Sequence, residues 1–248
     1  DLALRVVVDG SASMHSGNPT KIVFCARLAA ALGYIGLVKQ NRVSMTVFGM
    51  PGMERPAHLP ECRGRQQVPR MMRFLLDELF PDTTGSRSAV TGGAPHEKAD
   101  FNETMKTVAA SRATKGVVIV LSDFLIEEGY EVGLRALSAA SRNFDCYMVQ
   151  VLAREELEPN RLTGSDASGK GGASFGGDLR LTDVESAAHT EITLSTDLIQ
   201  AYKKRLDDYL ARISTLCHAR QMQHVLLAND TKLEDALLNT LRRAGAIG

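Results

Sequence analysis

Three short runs of mostly apolar residues punctuate the chain: residues 4–8, "KGVVIVLSDFL" at 115–125, and residues 145–152. Runs of this length and β-branched character predict strands buried on both faces rather than helices. Residues 42–48 alternate Val43, Met45 and Val47 with Ser44 and Thr46, which predicts another strand. Residues 57–63, with prolines close by, fit an edge strand, and 223–227 a last one. Helical spacing governs the segments between them. Residues 20–39 place Ile22, Val23, Ala26, Ala29, Ala30, Leu32 and Ile35 on one side, and residues 68–80 form a stripe of Met71, Met72, Leu75, Leu76 and Leu79. Further helices are predicted over 100–111, opened by Asp100, over 130–141, 195–220 and 233–243. Loops rich in Gly and Ser occupy 81–98 and 162–178, and 178–183 with 189–194 predict a small hairpin beside the sheet.

Strands that alternate with helices call for a mostly parallel sheet covered on both faces. In such a sheet the binding crevice lies beyond the carboxyl ends of the strands, where strand order reverses. Two of the buried strands end in carboxylates, Asp9 in "VVVDGSASMH" and Asp123 in "VIVLSDF". If these strands are neighbours at the reversal, both acids enter one crevice.

Asp9, Ser11 and Ser13 form D-x-S-x-S, and a short turn can aim three such oxygens at one point. Hard cations such as Mg²⁺ prefer oxygen ligands, so this cluster with Asp123 is a candidate metal site. The alternative is that Asp9 accepts backbone N–H bonds within a turn and the serines cap the next segment.

These motifs resemble a von Willebrand factor A-type domain with a metal-ion-dependent adhesion site. Asp9, Ser11 and Ser13 match its D-x-S-x-S, Met14 its apolar follower, and Asp123 the aspartate that ends its fourth core strand. The likeness is closer still to the bacterial domain-of-unknown-function-58 family, through "D-x-S-x-S-M", "S-D-F", "LTDVES" and the segment "AYKKRLDDYLARISTLCHARQMQHVLL", and it extends over the whole chain. The resemblance implies one domain over residues 1–248, with the 162–194 loop and hairpin as an insertion. It implies an α/β, Rossmann-like fold: a mostly parallel central sheet with one antiparallel edge strand and helices on both faces. It also implies a non-enzymatic protein-interaction module that binds Mg²⁺, Mn²⁺ or Ca²⁺ and receives a partner's acidic residue. The implied partner is a MoxR-type AAA+ ATPase, in protein assembly or maturation. The family's middle ligand is a threonine in a Gly-Gly-Thr-Asp loop. Here "GGAPHEKADFNETM" has Ala99 before Asp100, which leaves Asp100 or the more distant Thr91 as substitutes.

Composition removes several rivals. Lys plus Arg and Asp plus Glu both number 29, so no net field draws the chain to nucleic acid or an anionic membrane. Aromatic residues make up 5% and none interleaves with Arg63, Arg65, Arg70 and Arg73, which removes a stacking platform for single strands. That arginine group reads as a solvated face or as steering for an acidic partner. "GSDASGK" at 164–170 satisfies G-x-x-x-x-G-K, but Gly171 stands where a phosphate loop needs Ser or Thr. A metal-assisted phosphohydrolase with Asp9 as nucleophile is the enzymatic alternative. Its acid/base partner belongs two residues on, where Ser11 stands. A scaffold without metal is the third reading. His15 reads as a solvated loop histidine. Cys25, Cys62, Cys146 and Cys217 form no C-x-x-C pair and are expected to be buried reduced thiols.

No apolar run approaches the roughly 20 residues of a membrane helix. A cytoplasmic body is therefore expected. The chain enters a core strand directly after Asp1 and Leu2, so we expect a removed upstream segment able to carry a signal or membrane anchor.

Overall fold

The computed structural model describes residues 2–81, 100–111, 115–126, 129–140, 144–159, 178–182, 189–193 and 196–246. Six strands build the main sheet: β1 (Ala3–Asp9), β2 (Arg42–Phe48), β3 (Ala57–Arg63), β4 (Gly116–Ser122), β5 (Phe144–Leu152) and, after a separate hairpin, β8 (Gln223–Ala228). Their order is β3-β2-β1-β4-β5-β8, with β3 antiparallel and every other pairing parallel. The mostly parallel sheet with one antiparallel edge is thus present as expected. β3 also behaves as an edge strand should: Pro60 is exposed, and the pairing is irregular between Val43 and Met45. The hairpin pairs β6 (Asp178–Thr182) with β7 (His189–Thr193) in a sheet of its own.

Alternation along the central strands sorts the core into two layers. Val6 and Val8, Ile119 and Leu121, Val149 and Val151 face one side; there they pack with α1 (Lys21–Val38), α2 (Val68–Leu79) and a C-terminal π-helix (Asp235–Leu241). Val7, Val118, Val120, Cys146 and Met148 face the other, against α3 (Phe101–Ala110), α4 (Glu131–Ala140) and α6 (Thr196–His218). Such burial on both faces is why these strands read as continuous apolar runs.

Three elements differ from the sequence reading. Asp235–Leu241 is a π- rather than an α-helix, and the residues after it end in a Gly245 cap (φ +84°) in which the Ala246 N–H donates to the Leu241 carbonyl and the Gly245 N–H to the Arg242 carbonyl. A one-turn helix, α5 (Arg154–Leu157), follows β5 where none was expected. α1 is apolar enough to reach the length and composition of a membrane span, with mean hydropathy 1.7 over 18 residues, contrary to the expectation that no run would. Its apolarity is that of a core helix, since Ile22, Phe24, Cys25, Leu28, Ala29 and Leu37 are buried against the sheet and α2.

Gly116 begins β4 opposite Ala3 of β1. A Cβ there would press into the Ala3 carbonyl and lie 2.8 Å from its carbon, and neighbouring backbone cannot swing aside as a side chain can. Gly116→Ala is therefore expected to cost about 1–3 kcal/mol, measured by urea unfolding. An unchanged midpoint would show that the two strands open there without cost.

Candidate functional site

Strand order reverses between β1 and β4, and Asp9 and Asp123 stand at the carboxyl ends of these two adjacent strands. Both are buried, at 1% and 0% exposure. Ser122 ties the two strand ends together, because its hydroxyl donates to Asp9 Oδ2 at 2.6 Å and accepts from the Phe124 N–H at 2.9 Å. Asp9 Oδ1 accepts the Ser11 N–H at 2.9 Å. The serines then enter a single 3-10 turn (Ala12–His15), with Met14 buried beneath it and His15 exposed.

Gly49, just past β2, closes in from the other side with φ +77°. A Cβ there would lie 3.2 Å from Asp9 Oδ1 and 3.3 Å from the Ser11 nitrogen, so only glycine combines this backbone with this approach. Behind Asp123 the chain turns sharply through Phe124, at φ +59°. This left-handed conformation is held by edge-to-face contacts with Phe101 and Tyr130, at 5.8 and 6.2 Å between ring centroids. The Tyr209 hydroxyl also donates to the Phe124 carbonyl at 2.5 Å.

Asp9 and Asp123 share a crevice but have different partners. Lys21, at the first turn of α1, is completely buried and reaches Asp123 Oδ2 at 2.8 Å and Glu156 Oε1 at 2.8 Å. The Leu125 N–H donates to Asp123 Oδ1 at 3.0 Å, and the Ala153 N–H to Glu156 Oε2 at 2.7 Å. Burial opposes the Lys21 ammonium, but the two carboxylates outweigh it and hold its pKa above the ordinary value. Among the described residues no cation pairs with Asp9. Burial and the Asp123 charge raise its carboxyl to about 6, against the lowering effect of the Ser122 and Ser11 hydrogen bonds.

The Ser11 and Ser13 hydroxyls lie 3.2 Å apart, close to the roughly 3 Å between adjacent ligands of an octahedral Mg²⁺. With the Asp9 carboxylate beside them they fit a small hard cation. Asp123 does not fit as a direct ligand, because one oxygen faces the Lys21 ammonium and the other a backbone N–H. Asp100 caps α3 by accepting the Glu103 N–H at 2.6 Å. Among the described residues no hydrogen bond joins Asp100 to the other four. The adjoining Phe101 packs on Phe48 and Phe124. Thr91 and the "GSDASGK" segment lie outside the described residues. No group of three or more His, Cys, Asp or Glu able to hold a metal occurs among the described residues.

Sequence reasoning missed Lys21 and Glu156. A signal for the lysine was present: a cation in the first turn of the chain's most apolar helix opposes the helix dipole and needs an acidic partner to be retained there. Glu156 could have been found as the acid three residues after Ala153, a position from which a side chain reaches back to the helix-start N–H. The four cysteines are free and buried as expected. Burial, Asp9 and Asp123 push Cys25 well above its ordinary value, which keeps this thiol protonated beside the rim. Arg63, Arg65, Arg70 and Arg73 are all exposed.

An aerotolerance-related membrane protein from Bacteroides fragilis shares the fold, with TM-score 0.51 and 15% identity over 98% of this chain and 100% of its own. Two further structures are similar over part of the chain. The pilus adhesin SpaC of Lactobacillus rhamnosus GG has TM-score 0.43 and 10% identity over 61% of this chain and 25% of its own. The manganese-loaded TRAP protein of Plasmodium vivax has TM-score 0.35 and 15% identity over 60% and 57%. No curated protein matches. Residues 1–164 match the family described as "Protein of unknown function DUF58", and the chain belongs to that family.

Proposed function

We propose that this chain is a non-enzymatic protein-interaction module whose docking point is the rim formed by Asp9, Ser11, Ser13 and Asp123. The observation that supports this most directly is the convergence of these residues from two strands at the point where strand order reverses. Ser11, Ser13 and Asp9 would hold Mg²⁺, Mn²⁺ or Ca²⁺, and Asp100 is the further candidate ligand. A cation there supplies positive charge toward an acidic side chain of the partner. The chain's own part is to keep the serine hydroxyls together through the tight turn and to close the crevice behind them with Gly49 and Phe124. On the family resemblance, the partner is a MoxR-type AAA+ ATPase and the setting protein assembly or maturation. The like-folded Bacteroides fragilis protein is described as a membrane protein, which supports work close to a membrane.

A metal-free scaffold is the second reading, and the Lys21–Asp123 pair favours it. A phosphohydrolase is less well supported, because Ser11 sits where the acid/base would be needed.

Capture of the host's MoxR-type ATPase on immobilised protein separates these readings. Capture is expected in millimolar Mg²⁺, with at least a tenfold loss in chelator and in Ser11→Ala or Ser13→Ala. Capture that survives chelation and both variants removes the cation and leaves the scaffold. Turnover of a phosphate ester that disappears in Asp9→Ala overturns the module.

A further inference from the structure

The rim holds a buried charge arrangement that the docking reading does not use. Lys21 Nζ lies 2.8 Å from each of two carboxylate oxygens that reach it from different strand ends, Asp123 after β4 and Glu156 in the turn after β5. The second oxygen of each acid is occupied by a backbone N–H. The lysine side chain has no exposure and that of Asp123 has 1%. Apart from the Ser16 hydroxyl, 3.5 Å from Glu156 Oε1, these four carboxylate oxygens are turned toward one nitrogen or toward backbone.

Two oxygens equidistant from one buried positive point form the kind of environment that a hard cation also takes, with oxygens slightly closer and waters completing the shell. We propose that the Lys21 ammonium is the built-in cation of the inner rim. It holds Asp123 and Glu156 where a divalent ion would otherwise be needed, and it confines metal to the outer position at Ser11, Ser13 and Asp9. The rim then has two cation positions side by side: one is filled covalently from α1, the other is open to exchange. The inner acids keep their place whether or not metal is present, so the support beneath the docking point does not depend on divalent supply. This inference rests on the proposed function for the role of the rim, and on the Lys21 geometry alone for its chemistry.

Lys21→Met removes the ammonium and keeps an apolar stem of similar length. The decisive comparison uses a Ser13→Ala background, which breaks the outer hydroxyl pair, with thermal unfolding followed in chelator and in millimolar Mg²⁺ or Ca²⁺. With Lys21 present, Tm is expected to be the same in chelator and in cation. With Lys21→Met added, Tm falls by on the order of 10 °C in chelator, as expected for an uncompensated buried charge in a domain of this size. Divalent cation then restores at least half of that fall, since a ligand that binds only the folded state raises Tm. A Lys21→Met protein that melts with its parent, or that recovers nothing in cation, overturns the proposal.

Should Lys21→Met not fold, Lys21→Met with Asp123→Asn removes both members of the principal pair. That double variant is expected to fold and to show no cation response, and a response with the acid gone overturns the inner site. ATPase capture by the unaltered protein is measured in parallel. Lost capture with the Tm pattern intact defeats only the docking reading, and preserved capture without the Tm pattern defeats only the lysine inference.

Discussion

Asp123→Ala is expected to destabilise the fold by roughly 3–5 kcal/mol, the cost of leaving a buried charge without its partner. The substitution leaves the Lys21 ammonium, which has no exposure, with Glu156 alone, and that carboxylate is itself 26% exposed. It also removes the acceptor of the Leu125 N–H, at the point where the chain must pass through the left-handed Phe124. Surface pairs set the contrast. Arg212–Glu131, with the arginine side chain 71% exposed, belongs to a class worth about 0.2–1 kcal/mol, so Arg212→Ala should barely move the midpoint. Urea unfolding of both variants at neutral pH reads the difference. A loss below 1 kcal/mol in Asp123→Ala would mean that Lys21 finds water or another acid, and the buried pair would lose its structural role.

Asp9→Asn, at the same rim, should act in the opposite direction. Asp9 is as buried as Asp123 but pairs with no ammonium among the described residues, and its carboxyl is raised from 3.8 to about 6 by burial first and the Asp123 charge second. A carboxyl raised in the folded state binds its proton more tightly there than in the unfolded chain. Its contribution is fully present below about pH 4 and is lost as pH rises through about 6. Two units correspond to about 3 kcal/mol. Asparagine keeps the acceptor for the Ser11 N–H and carries no charge, while its amide nitrogen gives up the oxygen that accepts from the Ser122 hydroxyl. The gap between Asp9→Asn and the parent should therefore grow from near zero at about pH 4 to as much as ~3 kcal/mol at neutral pH, the variant being more stable. The same variant should lose cation-dependent capture, an exchange of stability for function common at binding sites. Saturating Mg²⁺ should narrow the gap by stabilising only the parent. A gap constant with pH would show that Asp9 is ordinary in its acidity and that its burial is offset by other means.

How far the residues themselves announced this site differs from one position to the next. D-x-S-x-S was visible because its oxygens are close in sequence and the turn that gathers them is local. Asp123 was visible because a buried valine-rich strand ends on it. Asp100 was legible as a helix start, and its side chain does cap α3. Placing the third ligand was not possible from local pattern, since the loop before Asp100 matches the family motif loosely.

What the sequence by itself determined is everything that depends on neighbours along the chain. Period-two and continuous apolar runs identified the strands, helical stripes identified the major helices, and the run of β then α identified a sheet covered on both faces. Only the tertiary structure decided which charges meet. Lys21 finds its acids 102 and 135 residues away, and no spacing rule relates positions so distant. The physical reason is that a backbone repeat records which face a side chain takes, whereas an ion pair in a dry interior depends on which strand ends become neighbours. That neighbourhood exists only after β1, β4 and β5 have paired and water has been expelled between them, and the same burial raises the carboxyl of Asp9.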